Sequence, residues 1–208
     1  MPYLIDVHVG INGTEPKEWV DRCLASLALC PVNVHIVDSS NMLVGDMRAA
    51  GYQLGTSRYV SYVYPDDWVE PWTYQWALAQ LEDPGVSATY VNHGVYEPDG
   101  VTRMRSFFTR PSPAVGYAQE KQMHHGVVHR RALIEPVLHL MKSMSRKEYQ
   151  VANLHALRCG RVVGSVDEGY GWRVHENGLH RSPAVPHPPE TVTWARDMRK
   201  QLLENYNG

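Results

Sequence analysis

The strongest constraint on the fold lies in the first 67 residues, where three short runs rich in Val, Ile and Tyr alternate with two helical segments. The runs, 3–9, 32–37 and 59–64, have the length and composition of strands. Between the first two, Val20, Cys23, Leu24 and Leu27 recur at i, i+3, i+4 and i+7 and line one face of a helix. Thr14 is its expected cap, with Glu15 and Pro16 in the first turn, and Pro31 ends it. Residues 45–54 make a second helix, which Gly51 weakens. Parallel strands need long crossover connections. The alternation therefore predicts a single α/β domain with a mostly parallel central sheet flanked by helices. Ligands of such sheets bind beyond the carboxyl ends of the strands. Gly10-Ile11-Asn12, Asp38-Ser39-Ser40 and Asp66-Asp67 all stand at those ends.

The rest of the chain is more mixed. Trp68, Trp72 and Trp76 lie at i, i+4 and i+8, with a helix beginning near Pro71. Residues 88–93 read as a strand, and 94–96 with 101–104 as a hairpin about Pro98-Asp99-Gly100. Further strands are expected at 127–129 and 162–166. Leu133, Val137, Leu140 and Met141 mark one helix and 145–159 another. A Pro-rich extended stretch, 182–189, precedes a last helix at 191–205. With 208 residues and 43% hydrophobic side chains, the expected division is a domain over 3–182 and a Pro-rich extension with a C-terminal helix over 183–208.

A formal charge of -2 excludes a global field drawing the chain to nucleic acid or an anionic membrane. Cys23, Cys30 and Cys159 are odd in number and form no C-x-x-C, which predicts thiols in a reducing compartment. No basic segment opens the chain, and no run approaches the roughly 18 apolar residues of a membrane helix. The expectation is a cytoplasmic protein without membrane insertion.

Asp66-Asp67 is the sharpest local feature. Adjacent carboxylates repel unless a cation or hydrogen-bond donors compensate. Hard divalent ions such as Mg²⁺ or Mn²⁺ take carboxylate oxygens and share them with a substrate diphosphate. The same pair also suits a plain turn, with Asp66 capping the next helix. Ser145-Arg146-Lys147-Glu148 has the S-x-x-E form of a capping box, so Glu148 suits a helix start. His125 and His129, with His124 beside them, have a zinc-like spacing but lie in a strand-like segment without H-E-x-x-H. They are expected as surface or acceptor-site histidines. The basic pairs Arg130-Arg131 and Arg146-Lys147 suit a solvated face, or a polyanionic acceptor.

Longer segments carry a family likeness. Gly10-Ile11-Asn12 ends the first strand and Asp38 the second, and Met47-Arg48-Ala49-Ala50-Gly51 leads to Ser57-Arg58-Tyr59. A hydrophobic strand then enters Tyr64-Pro65-Asp66-Asp67-Trp68, with Pro71 behind. Lys147-Glu148-Tyr149-Gln150-Val151 opens a later helix, and Trp172-Arg173-Val174-His175 follows. Over roughly residues 3–182 this succession resembles the family 2 glycosyltransferases of the GT-A fold. Their corresponding segments are Thr-Tyr-Asn, a strand-terminal Asp, Ala-Arg-Asn-x-Gly with Gly-Glu-Tyr, Asp-x-Asp-Asp, Glu-Asp-Tyr-Asp-Leu and Tyr-Arg-x-His.

The resemblance implies a GT-A-like (Rossmann-like) domain. Asp38 would hold the donor nucleoside, and Asn12 would line the same pocket. Arg48 would brace the nucleotide loop or approach the phosphates, and Trp68 would stack on donor or acceptor. Asp66 and Asp67 would bind the metal, with His175 a further ligand or diphosphate contact, and Glu148 would be the general base. Two departures stand against the pattern: Tyr64 replaces the first Asp of Asp-x-Asp, and Glu148 replaces the usual Asp base.

The implied reaction is a metal-dependent transfer, with inversion, of a sugar from a nucleoside diphosphate sugar such as a UDP-sugar to an acceptor hydroxyl. Mn²⁺ or Mg²⁺ would stabilise the departing diphosphate while a carboxylate deprotonates the acceptor. The expected acceptor is a saccharide or glycan. A hydroxymethylated pyrimidine in DNA is the alternative, motivated by the compact chain and the two basic pairs. Two other classes stay open. One is a non-catalytic sugar- or nucleotide-binding module of the same fold, which Tyr64 and Glu148 would suit. The other is a nucleotidyltransferase, which Gly10-Ile11-Asn12-Gly13-Thr14 suits poorly for want of a basic triphosphate loop.

Overall fold

A computed structural model of the chain describes residues 3–107, 125–176, 178 and 186–206. The alternation expected at the start is present: β1 (Ile5–Ile11), α1 (Lys17–Ala28), β2 (Asn33–Asp38), α2 (Val44–Tyr52) and β3 (Tyr59–Val63). Next come β4 (Trp68–Val69), α3 (Thr73–Leu81), β5 (Val86–Tyr96), β6 (Arg103–Phe107) and β7 (Val128–Arg130). The chain closes with α4 (Arg131–Ile134), a 3-10 helix (Glu135–Met141), α5 (Tyr149–Cys159), β8 (Arg161–Arg173) and α6 (Pro189–Tyr206).

The strands form one eight-stranded sheet in the order β2-β1-β3-β7-β5-β8-β4, with β6 paired to β5. β1 is parallel to β2 and β3, and β5 to β8. β7 runs antiparallel between β3 and β5, and β4 antiparallel at the edge. Both faces are covered. Ile5, Val7 and Val9 of β1 pack with Cys23 and Leu27 of α1 and Tyr74 and Leu81 of α3. On the opposite face Val60 and Tyr62 of β3 meet Met47, Leu138, Met141 and Val151. This double cover is why β3 is buried along its whole length and lacks a polar alternation. On α5 and α6, Leu154 and Ala156 join Met198 and Leu202 in a third cluster. Each of the valine, leucine, isoleucine and methionine chains among these contributes about 1.5–3 kcal/mol by leaving water. No helix among the described residues is long and apolar enough to cross a membrane.

Several boundaries moved for identifiable reasons. α1 begins at Lys17, because the Thr14 N–H and hydroxyl both donate to the Asn12 side chain. The segment expected as one helix at 133–141 splits into α4 and the 3-10 turns, where Pro136 lacks the N–H that an α-helix would use. β5 absorbs both 88–93 and the first arm of the hairpin, and the Asp99 carboxylate accepts from Val101 N, Thr102 N and the Thr102 hydroxyl in the turn. β8 does not stop at 166. It follows β5 through register shifts as far as the Tyr96↔Arg173 pair. Residues 182–185 of the Pro-rich stretch and His124 lie outside the described residues.

One carboxylate ties the amino ends of the strands. Asp6 Oδ1 accepts from Ser57 Oγ at 2.8 Å and Asn33 Nδ2 at 3.0 Å, and lies 3.0 Å from His35 Nε2. Its Oδ2 accepts from Ser57 N at 2.8 Å and Arg131 Nη2 at 2.6 Å. Burial by itself would raise this carboxyl, but the bonds from His35, Ser57 and Asn33 outweigh it and hold the pKa at about 2. A carboxylate held below its unfolded value stabilises the fold above about pH 4, and that contribution disappears as pH falls toward 2. In urea denaturation between pH 5 and 2, the wild type is expected to lose about 2 kcal/mol through this group. Asp6→Asn should show a correspondingly shallower decline, and parallel curves would contradict the assignment.

Candidate active site

The parallel registers Ile11↔Asp38 and Val9↔Val63 bring the carboxyl ends of β1, β2 and β3 to one edge. Asn12 and Asp38 stand exposed there, beside the loop 64–67. The Asn12 side-chain oxygen accepts from Thr14, and Asp38 Oδ1 accepts from Ser40 N, a bond that lowers the Asp38 pKa. Asp66 keeps 20% of its side chain exposed, and its Oδ2 lies 2.8 Å from His175 Nε2. The reach of β8 makes this meeting possible. Arg173 at its end donates from N to Asp67 Oδ1 at 2.8 Å and from Nε to the Asp66 carbonyl at 2.9 Å. His175 follows two residues later.

Three expected ligand contacts take a different place. Asp67 is 1% exposed, and its two oxygens accept from Arg173 N and the Tyr170 hydroxyl. Burial, and then the neighbouring Asp66 charge, push its carboxyl well above the ordinary range. It fastens the loop to β8 and is not a metal ligand. Trp68 is 6% exposed, with the Arg22 guanidinium 3.6 Å from its ring centroid and Tyr96 at 4.7 Å. Its ring is spent on packing, so it is no stacking platform. Arg48 is 4% exposed and turns inward.

Arg48 instead joins the two departures from the family pattern. Its Nη2 lies 2.8 Å from Glu148 Oε1 and donates to the Tyr64 hydroxyl at 2.8 Å, and that hydroxyl donates to Glu148 at 3.4 Å. Glu148 is 1% exposed and makes no capping bond to α5, so neither the capping box nor a free base facing the acceptor is formed. A buried cation needs a partner. With a neutral phenol at position 64, Glu148 supplies the charge. Behind Tyr64 a small cavity is lined by Arg48, Tyr62 and His129. Arg48 Nε, the Tyr62 hydroxyl and His129 Nδ1 have no hydrogen-bond partner among the described residues. Burial pushes His129 down to about 4. The neutral ring donates from Nε2 to Asn153 Oδ1 at 2.8 Å and presents Nδ1 as an acceptor. An ordered water is the usual occupant of such a polar pocket. His129 is thus interior, while His125 stacks on Tyr170 with centroids 4.9 Å apart.

Among the described residues at this edge, Asp66 and His175 are a carboxylate and an imidazole in contact. No group of three or more His, Cys, Asp or Glu side chains suited to a metal occurs among the described residues. The pair nevertheless fits as two neighbouring ligands. Adjacent ligands of an octahedral ion at about 2.1 Å stand about 3 Å apart, close to the observed separation. Diphosphate and water oxygens would have to fill the other positions.

Solved structures share the fold. S. aureus TarS 1-349 in complex with UDP-GlcNAc is similar over 96% of this chain and 70% of that one, with a TM-score of 0.69 and 15% identity. The same fragment with UDP gives a TM-score of 0.61 over 97% of this chain and 65% of that one, at 15% identity. The fold is GT-A-like. A longer TarS chain, of which 42% is covered, matches at a TM-score of 0.61 and 14% identity. No protein-family model and no curated protein matches the sequence.

Within this GT-A-like frame, the roles of Tyr170 and Trp19 had no legible signal in the sequence. Tyr170 looks like any strand aromatic until its hydroxyl is seen on Asp67. Trp19 looks like an ordinary helix residue until its ring is seen against His175. The Arg48 network yields a direct test. Glu148→Gln leaves a buried guanidinium uncompensated and should cost about 3–5 kcal/mol in urea denaturation. Adding Tyr64→Asp returns a carboxylate to Arg48 and should recover at least about 2 kcal/mol of that loss. Simple additivity of the two losses would rule out a shared counter-ion.

Proposed function

We propose that the chain transfers a sugar from a nucleoside diphosphate sugar, a UDP-sugar by preference, to an acceptor hydroxyl with the help of Mn²⁺ or Mg²⁺. The observation that carries this reading is the Asp66–His175 pair, 2.8 Å apart at the carboxyl edge of the sheet. The fold shared with TarS, solved with UDP-GlcNAc and with UDP, supports the donor class. In this reading Asp38 and Asn12 flank the nucleoside, and Asp66 and His175 hold the ion. A bound ion would offset the charge that develops on the leaving diphosphate. Glu148 would act as a base only after leaving Arg48, so its role here is that of a counter-ion. Inversion is the expected course, to be read from the anomeric signal of the first product.

A saccharide acceptor is favoured over modified DNA. Arg130 donates to the carbonyls of Val86, Leu81 and Asp83, and Arg131 to those of Ser57, Tyr52 and Leu54 as well as to Asp6. That pair is therefore occupied by the protein itself and unavailable to phosphates.

With UDP-GlcNAc as the first donor to try, the wild type should release UDP in Mn²⁺ and lose that activity in a chelator. Asp66→Ala should reduce release by about 100-fold or more, since one group at a developing charge is worth factors of this order. Release that is indifferent to both chelator and Asp66→Ala would sink the metal-assisted reading. The locked Glu148 favours one other reading, a binding module without turnover. Thermal protection by UDP-GlcNAc with no UDP released would decide for it. Transfer to hydroxymethylated duplex DNA, declining steeply with salt, would overturn the saccharide preference.

A further inference from the structure

We infer that Trp19 is a positioning residue for His175, holding the imidazole so that Nε2 faces Asp66. The inference rests on the proposed donor site and extends it to a residue that no motif marks. Trp19 sits on α1, and its ring meets His175 edge to face, with centroids 4.7 Å apart and planes at 60°. The Arg173 guanidinium lies 4.6 Å from the Trp19 ring centroid. The same guanidinium donates to the Asp66 carbonyl at 2.9 Å and to the Pro98 carbonyl at 2.6 Å. One cation therefore braces both the ring that walls His175 and the backbone that carries Asp66.

The physical need is specific. An imidazole can turn about its terminal torsion, whose wells are broad. A hydrogen bond to a partly exposed Asp66 is a weak restraint by itself. An aromatic wall at T-shaped geometry adds an orientation-dependent contact, because ring edge and ring face carry opposite partial charge. Trp19 supplies it from a helix whose Cys23 and Leu27 are anchored in the core, so the wall is rigid. Trp19 has no contact with the reacting groups in this reading and acts only through His175. Residues standing behind metal-ligating side chains in this way commonly contribute 10–100-fold to metal affinity.

The test compares Trp19→Leu, which removes the aromatic face, with Trp19→Phe, which keeps one. The first readout is Mn²⁺ affinity in the presence of UDP, by electron paramagnetic resonance. The second, in the metal-free protein, is the NMR signal of the His175 Nε2–H, which the bond to Asp66 protects from exchange. Trp19→Leu should weaken Mn²⁺ about tenfold or more and lose the imidazole signal. Trp19→Phe should stay within about threefold and keep it. A Trp19→Leu protein that only melts earlier, with Mn²⁺ affinity and signal retained, overturns the inference. If the wild type itself takes up no Mn²⁺ with UDP, the metal reading has failed. The imidazole signal then judges Trp19 alone, and its survival in Trp19→Leu overturns the inference. Should Trp19→Leu not fold, Trp19→Met replaces it with the same expectations.

Discussion

The site hangs on the attachment of the 64–67 loop to the far end of β8. Asp67 accepts from Arg173 N and from the Tyr170 hydroxyl, and Arg173 Nε in turn donates to the Asp66 carbonyl. A strand that ended near 166 would leave Asp66 as an ordinary turn residue on a solvated loop. With β8 carried alongside β5 to Arg173, the backbone of Asp66 is held and His175 is delivered to its carboxylate. The division of labour between two adjacent aspartates follows from this. One is buried to hold the loop, and its neighbour is left partly exposed with a histidine beside it.

Charge placement elsewhere obeys the same rule that a buried ion must be answered. Arg48 is answered by Glu148 and the Tyr64 hydroxyl, and Asp6 by Arg131, Ser57 and Asn33. These pairings redirect residues that the sequence offers to ligands. Arg48 turns from phosphate to carboxylate, Glu148 from base to counter-ion, and Arg130 and Arg131 from surface patch to carbonyl clamps. Tyr64 and Glu148 thus share one partner, the Arg48 guanidinium. Positions 64 and 148, far apart in the chain, meet at that one guanidinium.

The β-α-β-α-β opening was legible because it depends on local composition and period, which the chain states directly. The carboxyl-edge position of Asn12, Asp38 and Asp66 followed from the same alternation, since strand direction in such a unit is nearly forced. The extension of β8 was not legible. Gly164, Gly169 and Gly171 break any strand pattern, yet they are required where Tyr90, Thr73 and Trp68 press against the backbone. The capping box at 145–148 failed for a related reason: a local bond lost to a distant buried guanidinium.

By itself, then, the amino-acid sequence determined the class of fold, the edge where ligands meet it and the acidic loop at its centre, because period and spacing are properties of neighbouring residues. Tertiary structure alone decided which carboxylate faces outward, what Arg48 and Glu148 do, and that Trp19 stands against His175. Those outcomes depend on which groups find partners far along the chain, from Arg48 with Tyr64 to Trp19 with His175. No local pattern encodes that choice.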